Sequence, residues 1–213
     1  MSIETFPLGP LETNSYLVAG KGVAVAIDAG GEPSSMLASV KKQGLKLTHI
    51  LLTHLHFDHT LGVAALREGC MKLGHEPEVL CHDGDAFMLR DEFGRGGIQG
   101  MPEAPAFPYK PVSPGDAIFA GLACTVLYTP GHTPGGVSYY FPALGAVFAG
   151  DALFYRSIGR TDFPRGDTQL LFNSIRTQIY TLPEKTIVYP GHGQETTAGD
   201  EKRFNPFVSG TNS

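Results

Sequence analysis

The sequence predicts an α+β protein of two β-sheets packed together, with helices on the outside. Three observations point there. The 213 residues suffice for one sizeable core, so residues 1–213 are expected to form a single domain. The apolar periods run strands, helix, strand, helix, and then repeat that order, the pattern of layered sheets covered by helices. Three strands in the second half also lead into Gly followed by His or Asp, where a tight backbone bend exposes a polar side chain.

The elements follow in chain order. Strands are expected around Ile3–Phe6, Ser15–Val18 and Val23–Ile27, with Asp28-Ala29-Gly30-Gly31 as a turn. Pro33 stands where a helix can begin and Ser34–Gln43 continues it to Gly44. Leu47–Leu52 is an apolar strand. Leu61–Glu68 has helical period, with Gly69 as its stop. Glu78–Cys81 reads as a strand and Asp83–Arg90 as a helix. Phe93–Pro114 holds five prolines and four glycines without any period, which predicts a long loop or lid. Strands return at Ala117–Phe119, Ala123–Tyr128, Gly136–Phe141 and Ala146–Ala149. Leu171, Ile175 and Ile179 set a helical period across Thr168–Tyr180, and Thr186–Tyr189 is the last strand.

Composition excludes several function classes. The net charge is −5 and there is no run of Lys or Arg, which argues against a nucleic-acid partner. No apolar run reaches the roughly 18 residues of a membrane span. The opening MSIETFPLGP lacks a charged segment followed by an apolar one, so no export signal and a cytoplasmic location are expected. The three cysteines, Cys70, Cys81 and Cys124, form no CxxC pair and are expected as reduced thiols.

The chemistry concentrates in Thr53-His54-Leu55-His56-Phe57-Asp58-His59, which holds three of the eight histidines. On an extended segment, residues i and i+2 face the same way, so His54 and His56 can grip one ion. Asp58 and His59 follow where the chain turns into a helix near Thr60, and they aim at a neighbouring point. The cluster therefore suits two adjacent metals. Imidazole and carboxylate fit zinc, iron or manganese, and no cysteine is offered. The closing ligands are sought in Thr129–Gly135 around His132, in Phe148–Asp151, and in Tyr189–Gly193 around His192. His49, His75 and His82 lack this setting and are read as surface or core histidines. Asp28 is either a turn-forming carboxylate or a group that orients a ligand histidine.

Together THLHFDH, TPGHTPG, Gly150-Asp151 and Pro190-Gly191-His192 resemble the metallo-β-lactamase superfamily, over nearly the whole chain from Asp28 to His192. GDALFYRSIGRTDFPRGD and PGHGQETTAGDEKRFNPF resemble its short-form glyoxalase II-like members, the hydroxyacylglutathione hydrolase-like proteins. The resemblance implies an αββα four-layer sandwich. It implies that His54, His56 and His132 bind one metal, that Asp58, His59 and His192 bind a second, and that Asp151 bridges. Two divalent ions, foremost zinc, with iron or manganese as alternatives, are the implied cofactors. The C-terminal helical domain that helps hold glutathione in glyoxalase II proper is expected to be absent. The usual zinc β-lactamases place cysteine at the second metal and arginine where His59 stands. Their absence predicts against antibiotic hydrolysis.

Such a site generates hydroxide between the metals. Lowering the pKa of a bound water from 15.7 to about 7 is worth roughly 12 kcal/mol of proton affinity. Asp58 is placed to orient that hydroxide, and a metal stabilises the oxyanion formed on attack at a carbonyl. A thioester suits this chemistry, because its thiolate leaves readily. The expected activity is hydrolysis of a hydroxyacylglutathione, such as lactoylglutathione, or a related small-molecule thioester. Arg160 and Arg165 can receive a substrate carboxylate or pair locally with Asp162 or Asp167. Tyr155 is a further candidate for substrate contact. Persulfide dioxygenases, which use one iron and carry a segment like Gly159–Phe163, are the rival reading, and a lactonase is a third. The oligomeric state is left open.

Overall fold

The computed structural model describes residues 1–97 and 100–209. The chain divides into two compact units, Met1–Val112 with Ile118–Leu122, and Ser113–Ala117 with Ala123–Ser213.

The first unit is a six-stranded sheet of order β1-β2-β3-β4-β5-β6: β1 Ser2–Leu8, β2 Thr13–Gly20, β3 Val23–Ile27, β4 Lys46–Leu51, β5 Glu78–Cys81 and β6 Lys110–Pro111. β1 to β3 form an antiparallel meander, with Ser2 opposite Ala19 and Gly20 opposite Val23. From β3 to β6 every pair is parallel, so each connection must cross back over the sheet. Helix α1, Ser34–Lys42, makes the first crossover. The short α2, Phe57–Thr60, and then α3, Val63–Lys72, make the second. Met36 and Val40 of α1 and Val63, Leu66 and Cys70 of α3 form one buried cluster with Leu17, Ala24, Ala26, Leu47 and Ile50 of the sheet. Burial of each large apolar side chain contributes roughly 1.5–3 kcal/mol.

Helix α3 runs past the expected stop at Gly69. Gly69 instead lets α1 approach: a Cβ there would stand 2.4 Å from Leu37 Cδ1. The helix ends at Lys72, and Gly74 just beyond it, with φ +88°, has the left-handed conformation that a glycine stop supplies. The amides of Gly74 and His75 return to the carbonyls of Met71 and Cys70 at 3.0 and 3.1 Å.

The stretch from Phe93 to Pro114 is more ordered than its composition suggests, although Ile98 and Gln99 lie outside the described residues. A 3₁₀ segment, Asp83–Arg90, leads to α4, Glu92–Arg95. Asp91 Oδ1 caps α4, accepting from the amides of Phe93 and Gly94 at 3.0 Å each. A bridge joins Gly96 to Glu103, Arg95 pairs with Glu103, and β6 adds to the sheet edge. Beyond the end of α4 and the two residues of β6, the described residues of this stretch carry no helix or strand, so it is the long loop its prolines predict, fastened by a cap and a bridge.

The second sheet, nearly all of it in the second unit, has six strands in the order β14-β13-β10-β9-β8-β7: β7 Gly115–Phe119, β8 Leu122–Tyr128, β9 Val137–Phe141, β10 Ala146–Gly150, β13 Ile187–Pro190 and β14 Thr196–Thr197. Between β10 and β13 stand a small hairpin, β11 Leu153–Phe154 and β12 Ser157–Ile158, and helix α5, Thr168–Ser174. Asp167 caps α5 by accepting from the amide of Leu170 at 2.9 Å. One π-turn, Ile175–Ile179, carries the helix on. Leu171, Ile175 and Ile179 are fully buried against Val147, Ala149 and Val188, on the face their spacing predicts. A last helix, α6 Ala198–Phe204, ends the described fold. No helix among the described residues is long and apolar enough to cross a membrane.

Candidate metal centre

Strand direction gathers the polar residues of each unit. In the first unit β3, β4 and β5 are parallel, so Asp28, His54 and Asp85 follow the carboxyl ends of three neighbouring strands. That edge is where open α/β sheets place ligands. His56 is still extended, at φ −64° and ψ 144°, and Phe57 then opens α2, which carries Asp58 and His59. All of these side chains except Phe57 are buried.

Asp28 organises this half. Its backbone is left-handed, with φ +55°, which turns the carboxylate back beneath the loop. Oδ1 accepts from the Thr53 amide at 2.8 Å and Oδ2 accepts from the Thr53 hydroxyl at 2.8 Å. His59 Nδ1 also lies 2.8 Å from Oδ2, so it donates there and Nε2 keeps the lone pair. His59 Nε2 stands 3.7 Å from Asp58 Oδ2, and the Thr13 hydroxyl donates to that same Oδ2 at 3.0 Å. The rings of His54 and His59 are 4.1 Å apart, and those of His54 and His56 4.8 Å apart, centre to centre. Asp85 Oδ2 lies 3.4 Å from the amide of Leu55, between the two histidines. The Asp28–Gly31 turn packs directly on α2. A Cβ at Gly30 would stand 2.4 Å from the Asp58 carbonyl, and the Ala29 amide donates to the His59 carbonyl at 2.9 Å.

In the second unit β8 and β10 both run antiparallel to β9, and β13 runs parallel to β10. The three strands therefore share a direction, and His132, Asp151 and His192 leave the same sheet edge. The Gly191 amide donates to the Gly150 carbonyl at 2.8 Å, which ties two of these exits together. Asp151 Oδ2 stands 3.6 Å from His132 Nε2 and 3.7 Å from His192 Nε2. Such separations are too long for hydrogen bonds. They are close to the roughly 3.3–3.6 Å between donors that share one tetrahedral ion at metal–donor bonds of about 2.0–2.2 Å. The Asp58–His59 distance fits equally well. The donor sets of both units thus have the chemistry and spacing of divalent-metal ligands.

His132 Nδ1 donates to the Arg160 carbonyl at 2.6 Å, which again leaves the lone pair on Nε2. Gly159 makes this possible: a Cβ there would stand 1.8 Å from the Asp151 carbonyl and 3.1 Å from His132 Nδ1. The Arg160 guanidinium takes the local alternative. It grips Asp162 with two hydrogen bonds of 2.9 and 2.8 Å and lies 4.4 Å over the Phe163 ring. The hydrogen bond from Arg160 holds the Asp162 carboxyl below its usual range. Arg165 has left-handed backbone, at φ +67°. Tyr155 is exposed, with the Arg156 guanidinium 4.9 Å above its ring. His49 lies half-buried edge-on to Phe119, His75 follows α3, and His82 Nδ1 accepts from the Gly84 amide at 3.1 Å.

Sequence reasoning missed four contributors: Thr13, Thr53, Asp85 and the carbonyl of Arg160. Thr53 and Asp85 offered only proximity to the motif or to a strand end. A main-chain carbonyl has no residue signature at all.

The profile of the Metallo-beta-lactamase superfamily matches residues 8–192. "Probable metallo-hydrolase YqgX" of Bacillus subtilis is 36% identical, over 99% of this chain and 99% of its own. "Hydroxyacylglutathione hydrolase GloC" of Haemophilus influenzae is 34% identical, over 98% and 99%. Among solved structures, the BLEG-1 B3 metallo-beta-lactamase superposes with a TM-score of 0.89 at 38% identity, covering 98% of this chain and 100% of its own. TTHA1623 in a di-iron-bound form gives 0.84 at 39%, over 96% and 100%. ETHE1 from Myxococcus xanthus gives 0.78 at 32%, over 100% and 86%. The fold is the metallo-β-lactamase fold, as the motifs imply.

Proposed function

Because the chain belongs to the metallo-beta-lactamase superfamily, whose metallo-hydrolases are enzymes, we propose that it is a binuclear metal-dependent thioesterase, with a hydroxyacylglutathione as its leading substrate. His54, His56 and His132 would hold one divalent cation, Asp58, His59 and His192 a second, and Asp151 would bridge. The carrying observation is the position of Asp151 Oδ2, at metal-sharing distance from both His132 and His192. The family match runs across both compact units, which supports reading them as one domain. A donor set of imidazole and carboxylate favours zinc, with iron and manganese as alternatives; a relative in this fold is named for a di-iron form.

When bound, the ions supply an acidified water and a Lewis acid for the thioester carbonyl. The protein's own groups do the rest. Asp58, steadied by the Thr13 hydroxyl, orients the attacking water and accepts its proton. Asp28 and the Arg160 carbonyl keep His59 and His132 in the Nδ1–H tautomer, so that Nε2 is presented for coordination. A substrate carboxylate would compete with Asp162 for Arg160, with Arg165 and Tyr155 on the same segment, so Arg160→Ala is expected to raise KM more than it lowers kcat. The relative named as a hydroxyacylglutathione hydrolase supports the choice of substrate.

One panel tests the reading. Metal analysis is expected to give near two ions per chain, and lactoylglutathione to be hydrolysed with loss on chelation. One iron per chain, with oxygen uptake on glutathione persulfide, would replace it by the dioxygenase reading that the Gly159–Phe163 segment favours. β-Lactam turnover without thioester turnover would align the chain with the lactamase that it resembles in fold.

A further inference from the structure

Thr53 has a second contact that the mechanism above does not use. Its hydroxyl lies 2.8 Å from Asp28 Oδ2 and 3.1 Å from His54 Nδ1, and all three residues are buried. A hydroxyl has one proton to give, and a carboxylate only accepts. The Thr53 proton therefore points at Asp28. The contact to His54 is then closed from the other side, by His54 donating Nδ1–H to a lone pair of Thr53. His59 donates its own Nδ1–H to the same carboxylate oxygen.

We propose that Thr53 is a positioning residue that relays the Asp28 carboxylate to His54, so that one carboxylate sets the tautomer and basicity of a ligand in each of the two metal sites. It acts directly on His59 and through one hydroxyl on His54. This rests on the binuclear reading, in which the two histidines serve different ions. Partners that orient ligand imidazoles typically change metal affinity 10–100-fold when they are removed. Thr53→Val deletes the hydroxyl at nearly constant shape. It spares the Asp28–His59 hydrogen bond and the Thr53 amide bond to Asp28 Oδ1.

The test is zinc titration of the metal-stripped full chain against a chromophoric chelator, with ¹⁵N–¹H correlation of the imidazoles to read tautomers. Wild type is expected to take up two equivalents, with both His54 and His59 as Nδ1–H. Thr53→Val is expected to weaken one equivalent by about 10–100-fold and leave the other near wild type. Thr53→Ser is expected to restore it. Unchanged binding of both equivalents in Thr53→Val, equal weakening of both, or an Nε2–H tautomer of His54 in the wild type would each overturn the relay. The tautomer readout needs no variant, so a poorly folding Thr53→Val still leaves the proposal open to refutation. His54→Ala separates the two levels. If it keeps both equivalents at wild-type affinity, the binuclear reading fails; if it loses one while Thr53→Val keeps both, only the relay fails.

Discussion

Glu201 is the most exacting place to test the physics of the second unit. Its side chain is fully buried and gathers four donors: Arg156 Nη1 at 2.6 Å, the Arg156 amide at 3.0 Å, the Thr196 hydroxyl at 2.7 Å and Asn205 Nδ2 at 2.9 Å. These hold α6 against the β11–β12 hairpin, which lies between Asp151 and the Gly159-Arg160 pair. Breaking a buried ion pair by removing one partner costs about 3–5 kcal/mol, because the other is left uncompensated. The Arg156 side chain keeps 32% of its exposure and can recover part of its hydration, so the lower half applies, about 3–4 kcal/mol for Glu201→Ala. At about 2–4 °C per kcal/mol for a chain of this size, Tm should fall by roughly 6–16 °C. Urea unfolding of the metal-stripped protein, read by circular dichroism, measures the loss without metal linkage. The Arg156→Met, Glu201→Met double variant removes both charges and should lose less than Glu201→Ala. A loss for Glu201→Ala within about 0.5 kcal/mol, the range of an ordinary surface change, would refute the reasoning.

Three further outcomes are expected. Gly159→Ala puts a methyl 1.8 Å from the Asp151 carbonyl, so the segment must shift; stability should fall by about 1–3 kcal/mol and zinc affinity with it, read by denaturation and chelator competition. Burial raises the thiols of Cys70 to about 11 and of Cys81 and Cys124 to about 12, so none should react with a disulfide reagent at pH 8 until denaturant is added. Burial lowers the pKa of His49 from 6.5. The unfolded chain then binds the extra proton first, so this group's contribution to stability is present above pH 6.5 and declines as pH falls below it; an NMR titration midpoint below 6.5 checks the sign.

The legible parts of the fold are those where one face is apolar. Val23–Ile27 and Glu78–Cys81 keep their expected bounds, and Leu171, Ile175 and Ile179 bury as their spacing says. The illegible parts are held by other means. Helix α6 buries Ala198, Gly199 and Glu201, a face of small and charged residues that shows no apolar stripe. β11 and β12 have two residues each, too few for any period. Gly69 looks like a helix stop, and only the position of Leu37 shows why a glycine stands there.

The candidate site divides along the same line. Side-chain donors were legible because each follows a strand and a glycine, or lies in the HxHxDH run, and strand polarity then delivers them to one edge of each sheet. The groups that fix which ring nitrogen carries the proton were not, because they act through atoms that any residue or any hydroxyl can supply: the carbonyl of Arg160 for His132, and the Thr53 hydroxyl for His54. Asp28 was visible only as a choice between a turn and an orienting group. Its left-handed backbone and its three hydrogen bonds of 2.8 Å make it both at once, since the turn is what aims the carboxylate at His59. Candidate donors can therefore be picked out by spacing, while the tautomers of His59 and His132 depend on contacts between residues 28–31 positions apart. Thr53→Val should therefore change metal affinity while every side-chain donor of the HxHxDH run stays in place.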